Sequence, residues 1–93
     1  MNISVEIAFS FKRDLDAGYR TLRLLDGATV LEAFRELARR YPEVEARLFE
    51  ENGEPHRHIN ALVNGENVQF REKFETRLRE GDRLTILPPV GGG

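Results

Sequence analysis

One amphipathic helix, with a capping motif before it and a proline after it, is the feature that most constrains the fold of this chain. Thr29 is followed three residues later by Glu32, so each side chain can bond the other's backbone amide in a capping box. Apolar residues then recur at helical spacing as far as Tyr41. Pro42 ends this helix or begins a second short one over residues 42–49. The chain therefore offers one main helix, around which the strands must be arranged.

Strand patterns lie on both sides of this helix. Their limits are residues 3–11, 19–25, 59–63, 66–70 and 83–87. The polar stretch 12–18 predicts a hairpin connection, and Asn64-Gly65 predicts a tight turn. A hairpin, a helix and then further strands indicate an α+β domain, with the helix on one face of a mixed sheet of about four or five strands. We expect both terminal strands to be central, residues 1–90 to form the domain and residues 91–93 to form a flexible glycine tail.

Composition narrows the classes of function. The chain has 93 residues, no cysteine and a net charge of −2, so it lacks cysteine chemistry and the basic excess typical of nucleic-acid binding. No apolar run reaches the ~20 residues of a membrane span. Glu6 interrupts the first apolar stretch, so we expect no signal peptide and a cytoplasmic location. His56 and His58 could ligate a metal, but a solvated loop is the simpler interpretation, and we expect no bound metal or cofactor.

The segment after the last strand combines rigid and flexible residues. It consists of Pro88, Pro89, Val90, Gly91, Gly92 and Gly93. The prolines fix φ as the chain leaves the strand, and the glycines accept positive φ and carry no side chain. Such a segment can enter a narrow channel and place the Gly93 carboxylate, its only reactive group, in a partner's active site. An inert tail is the alternative, and a Pro-Pro-Val sequence directly after a strand favours the functional interpretation.

Four segments resemble the small subunit of molybdopterin synthase, MoaD, within the MoaD/ThiS group of ubiquitin-like sulfur carriers. They are FSFKRDL at 9–15, TVLEAFREL at 29–37, NALVNGENV at 60–68 and GDRLTILPPVGGG at 81–93. The last segment is the most specific, although it ends in three glycines where two are usual. The resemblance covers nearly the whole chain, and the extended loop 50–58 is similar to archaeal-type MoaD-related proteins. It implies a β-grasp, ubiquitin-like fold.

The same resemblance implies a reaction at the C-terminus. In that family an E1-like enzyme (MoeB-like) uses ATP to adenylate the terminal carboxylate, here that of Gly93, and a sulfurtransferase converts it to a thiocarboxylate. The carrier then docks on the large subunit of molybdopterin synthase (MoaE-like) and gives sulfur to the precursor pterin. The catalytic side chains belong to the partners. The chain is therefore expected to be a non-catalytic sulfur donor with no active site of its own, no nucleic-acid partner and no membrane partner.

Docking positions are also carried over from the resemblance. They are Phe9, Arg13, Leu87, Pro88, Pro89 and Val90, while Gly91 and Gly92 thread the partner's channel. Leu87 matches an exposed apolar position, and alternation agrees because Leu84 and Ile86 then face the core. Phe9 matches an interface aromatic, but alternation puts it in the core. Arg13 either pairs with an acidic group of the E1-like partner or is solvated.

Several functions stay open at this stage. The first is the small subunit of molybdopterin synthase, which the Pro-Pro-Val segment favours, and the second is a sulfur carrier for thiazole (thiamine) or tRNA thiolation. The third is a protein modifier joined through Gly93 to lysines of its targets, and the fourth is a binding module with an inert tail. Ubiquitin-like proteins are themselves joined into chains at lysines, and 12 of the 14 basic residues here are arginine, which leaves only Lys12 and Lys73.

Overall fold

The computed structural model describes residues 1–7, 20–56 and 59–87. The strands and helices are β1 (Asn2–Ile7), β2 (Thr21–Arg23), α1 (Val30–Arg40), α2 (Glu45–Leu48), β3 (Asn60–Val63), β4 (Glu66–Asn67) and β5 (Arg83–Leu87). Short 3₁₀ turns occur at Pro42–Val44, Val68–Phe70 and Lys73–Glu75. The predicted order of a hairpin, a helix and further strands is confirmed. The connection 12–18 and the second half of the predicted first strand lie outside the described residues.

The five strands form one mixed sheet in the order β2-β1-β5-β3-β4. β1 and β5 are parallel neighbours, with Val5 opposite Leu84, and β3 is antiparallel to β5, with Ala61 opposite Ile86. Both terminal strands are therefore central, as the sequence predicted. The last strand, β5, is hydrogen-bonded to a neighbouring strand on both sides.

The start of α1 shows the predicted capping box. The amide of Glu32 donates to Thr29 Oγ1 at 3.2 Å, and the amide of Thr29 donates to Glu32 Oε1 at 3.0 Å. These bonds satisfy two of the amides that a helix leaves unpaired at its N-terminus. The helix ends at Arg40, one residue before Tyr41, and Pro42 begins the following 3₁₀ turn.

The helix and one face of the sheet enclose the core. Alternate residues of β1 are buried (Ile3, Val5 and Ile7), while the residues between them are exposed. The fully buried Phe34 ring of α1 lies 6.4 Å from the Phe49 ring in an edge-on contact. The opposite face of the sheet has no helix over it in the described part of the chain.

The predicted strand 66–70 is wrong beyond Asn67. The Asn67 side chain accepts a hydrogen bond from the Gln69 amide at 2.8 Å and begins a 3₁₀ turn in place of further strand pairing. In a strand, residues 68 and 70 would share one face. In this turn they do not, so Val68 is fully buried and the Phe70 side chain is 85% exposed.

Candidate functional site

The candidate site begins at the C-terminal end of β5. Leu84 and Ile86 point into the core and fix this strand, and Leu87 is half-buried on the other face. Leu87 lies opposite Asn60 of β3. The predicted orientation of Leu87 is confirmed, whereas its role in docking stays a prediction.

The other predicted site residues lie outside the described residues. They are Phe9, Arg13, Pro88, Pro89, Val90, Gly91, Gly92 and Gly93. Ile7 is the last described residue before Phe9, and it lies opposite Ile86, next to the end of β5. Because β1 and β5 are parallel, the described parts of both strands end at the same end of the sheet.

The open face of the sheet beside Leu87 is mixed in polarity. One row across the strands runs from Glu6 through Thr85 and Leu62 to Asn67. Thr85, Leu62 and Asn67 are half-buried, while Glu6 is exposed. Leu62 and Leu87 thus supply apolar surface among polar side chains, a composition that suits a partner that binds and is released.

Phe70 is a surface residue that the sequence analysis missed. The Gln69 side chain donates from Nε2 to Asn60 Oδ1 at 3.4 Å, which places the 3₁₀ turn next to the Asn60–Leu87 pair. Phe70 follows directly and is one of two large apolar side chains strongly exposed in the described residues, the other being Leu25. The available signal was Asn67, because an Asn two residues before a free amide favours a local turn over a strand.

A hydrogen-bonded cluster fixes the other end of β5. Asn64 Oδ1 accepts from the Arg83 amide at 2.9 Å, and Asn64 Nδ2 donates to Asp82 Oδ1 at 2.9 Å. Asp82 Oδ2 in turn accepts from the Arg79 amide at 2.8 Å. The side chains of Asn64 and Asp82 therefore link the β3–β4 turn to the start of β5.

The described residues contain no cluster of three or more His, Cys, Asp or Glu side chains that could hold a metal ion. His56 has its Nε2 atom 2.8 Å from the Ala46 carbonyl oxygen, which requires a proton on that nitrogen, and His58 lies outside the described residues. None of the helices in the described segments has the length and apolar character needed to cross a membrane.

A mixed sheet with parallel first and last strands at its centre, and one main helix on one face, defines a ubiquitin-like β-grasp protein. The chain belongs to the ThiS family, whose profile matches residues 9–93. This is the group of ubiquitin-like sulfur carriers and modifiers that the sequence motifs resemble.

Individual relatives include both carriers and modifiers. The chain is 43% identical over 79 residues to small archaeal modifier protein 1 of Haloferax volcanii, covering 83% of this chain and 86% of that protein. It is 33% identical over 95 residues to the sulfur carrier protein CysO of Mycobacterium tuberculosis, covering 100% of both. The crystal structure of SAMP1 from Haloferax volcanii superposes with a TM-score of 0.80 at 32% identity, covering 100% of both chains.

Proposed function

We propose that this chain carries sulfur as a thiocarboxylate on Gly93. The observation that supports the proposal is the central position of β5, paired with β1 and β3, directly before a Pro-Pro-Val-Gly-Gly-Gly sequence. A rigid strand followed by residues without bulky side chains suits delivery of a carboxylate into a partner's active site.

The reaction requires activation by ATP, because the oxygen of a carboxylate is a poor leaving group. In the proposed sequence a Gly93 carboxylate oxygen attacks the α-phosphorus of ATP on an E1-like enzyme, and pyrophosphate leaves. A persulfide on a sulfurtransferase then displaces AMP from the carbonyl carbon, which gives an acyl disulfide. A thiol attacks the sulfurtransferase sulfur of this S–S bond, which leaves the thiocarboxylate on Gly93 and a new disulfide on the sulfurtransferase. ATP is thus a substrate of the partner, and this chain needs no cofactor of its own.

We infer that the acceptor is the precursor pterin of molybdopterin, with this chain as the small subunit of the synthase. The Pro-Pro-Val segment before the glycines supports this choice over thiazole and tRNA thiolation. Affinity purification of the N-terminally tagged chain from its host tests the inference. Recovery of a MoaE-like large subunit supports it, and recovery of only tRNA-thiolation or thiazole enzymes contradicts it.

Activation itself can be tested separately from the acceptor. Hydroxylamine captures an activated acyl group as a hydroxamate, so the tagged chain is incubated with host extract, ATP and hydroxylamine. We expect a hydroxamate at Gly93 that depends on ATP and is absent from a chain lacking Gly92 and Gly93. An ATP-independent signal, or none, would contradict activation of this carboxylate.

A second candidate function is covalent modification of other proteins, which the 43% identity to small archaeal modifier protein 1 favours. The activated Gly93 carbonyl would then pass to a lysine amine instead of to sulfur. Trypsin cuts after Arg83 and nowhere later in the chain, so each modified lysine would keep residues 84–93 as a remnant. Mass spectrometry of host proteins for this remnant distinguishes a modifier from a carrier that acts only on sulfur.

The docking surface proposed for the partners consists of Leu62, Phe70 and Leu87. Phe70 is 85% exposed, and the two leucines are half-buried on the open face of the sheet. Aromatic residues, phenylalanine among them, are enriched at protein interfaces, and the two leucines add apolar area. A partner that docks on these residues would lie close to the end of β5, which directly precedes the tail in the sequence.

A further inference from the structure

Few amino groups of this chain could accept an acyl group. The arginine guanidinium stays protonated and does not act as an amine nucleophile, so the lysines and the N-terminus are the candidates. Lys12 lies outside the described residues. The ammonium group of Met1 donates to the Leu24 carbonyl oxygen at 2.6 Å and lies 3.4 Å from Asp26 Oδ1. Lys73 is exposed and makes no hydrogen bond or ion pair through its side chain with any described residue.

The loop that carries Lys73 is anchored on both sides of it. The Phe74 ring lies 5.3 Å from the Phe34 ring of α1 and packs against the core. Thr76 is fully buried, its carbonyl oxygen accepts from the Val30 amide at 2.9 Å, and its Oγ1 accepts from the Glu72 amide at 3.2 Å. These contacts therefore hold the backbone around Lys73 against the start of α1.

Lys73 also has an unusual backbone conformation. Its φ of 54° lies in the left-handed region, which is unfavourable for a residue with a side chain. The anchored neighbours maintain this conformation, and such outliers concentrate at functional positions. Glycine would relieve the strain, yet the position is one of only two lysines in a chain whose other 12 basic residues are arginine.

We propose that Lys73 is a modification site at which the Gly93 carboxyl group of a second copy of this chain is attached, an inference that rests on the modifier function proposed above. The neutral Nζ amine attacks the Gly93 carbonyl carbon held as the adenylate made from ATP. The new C–N bond replaces the C–O bond to phosphate, AMP leaves with the bonding electrons, and Nζ loses a proton to solvent. The product is an isopeptide-linked dimer, which can be extended through its own Lys73.

The test compares three N-terminally tagged chains, the wild type, Lys73→Arg and Lys12→Arg, expressed in the native host. Arginine keeps the charge and the side-chain length but not the amine, and an unchanged melting temperature shows that the Lys73 loop is intact. After trypsin digestion, self-attachment appears as the peptide of residues 72–77 carrying residues 84–93 on Lys73. We expect this branched peptide and the tagged dimer in the wild type and in Lys12→Arg, and their loss in Lys73→Arg.

The outcomes separate this inference from the function on which it rests. If the remnant of residues 84–93 occurs on other proteins but not on Lys73, the modifier function stands and the Lys73 site is wrong. The site is equally wrong if Lys73→Arg still forms the dimer with the remnant on Lys12. If no protein in the host carries the remnant, the modifier function itself fails and the Lys73 site fails with it.

Discussion

Asn64 contributes to the fold through both its backbone and its side chain. Its φ of 52° and the φ of 85° at Gly65 form the tight turn between β3 and β4 that the Asn-Gly pair predicted. The same side chain bonds the Arg83 amide and Asp82, at the start of the last strand. A single residue thus connects the turn to the strand that presents the tail.

Substitution of Asn64 can separate these two contributions. Asn64→Gly keeps the left-handed backbone and loses the side-chain bonds, so we expect the free energy of unfolding to fall by roughly 1 kcal/mol. Asn64→Ala also places a Cβ in the left-handed region, and we expect a fall of roughly 2–3 kcal/mol. Chemical denaturation measures both values. Equal losses for the two variants would show that the backbone conformation contributes nothing.

Glu36 provides a pH dependence with a defined sign. Its carboxylate lies 2.6 Å from the Arg39 guanidinium on the surface of α1, and the hydrogen bond from Arg39 lowers the pKa of Glu36 below its ordinary value. Because the folded-state pKa is the lower one, the stabilisation is present above the unfolded-state pKa and is lost as the pH falls through the folded-state pKa. We expect Glu36→Gln to be slightly less stable than the wild type at neutral pH. The difference should shrink as the pH falls through the folded-state pKa of Glu36 and vanish at lower pH in thermal melts, and a difference that grows with acid would contradict this assignment.

At the scale of elements, β5 and the turn after β4 carry the surface proposed for docking of a partner. β5 buries Leu84 and Ile86 and leaves Leu87 on the open face. The 3₁₀ turn after β4 likewise buries one apolar residue, Val68, and exposes another, Phe70. In both elements a buried residue fixes the backbone that holds an exposed apolar side chain.

Changes to the exposed residues of these elements should weaken docking without unfolding the protein. We expect Leu87→Glu and Phe70→Ser each to weaken binding to the E1-like enzyme or the large subunit about tenfold or more, the loss of an interface anchor. Leu25→Ser is a matched control, because Leu25 is 84% exposed but follows the edge strand β2, at the end of the sheet away from Leu87. Isothermal titration measures all three. Unchanged affinity for Leu87→Glu would remove Leu87 from the interface, and an equal loss for Leu25→Ser would show that the effect is not specific to this surface.

The elements also show what local sequence can and cannot predict. The capping box lies at the start of α1 and Pro42 follows its end, and both act within a few residues of the chain. Both ends of that helix could therefore be predicted from sequence. The strong alternation in β1 likewise predicted its buried face. The end of β4 could not be located by alternation alone, because an apolar residue at 68 and another at 70 fit a strand as well as a turn. Here the side-chain bond of Asn67 determined the outcome.

At the scale of the whole molecule, the proposed function separates a folded body from a reactive end. Among the described residues, the central strand β5 is paired with β1 on one side and with β3 on the other. The carboxylate that would carry sulfur belongs to Gly93, a residue without a side chain to bury. Stability and activity should therefore respond to different substitutions.

Removal of Gly92 and Gly93 tests this separation. We expect the shortened chain to lose sulfur transfer completely, because its carboxylate no longer reaches the partner's active site. We also expect its melting temperature to stay that of the wild type, since no side chain is lost. A melting temperature well below that of the wild type would show that the tail packs on the domain, contrary to its role as a free end.

Intact mass spectrometry of the protein purified from its native host tests the central claim most directly. The account predicts a population heavier by the replacement of one oxygen with sulfur, located at Gly93 by fragmentation and absent from the chain lacking Gly92 and Gly93. An unmodified C-terminus in every preparation, with no remnant of residues 84–93 on any host protein, would contradict the claim that this carboxylate is the group through which the protein acts.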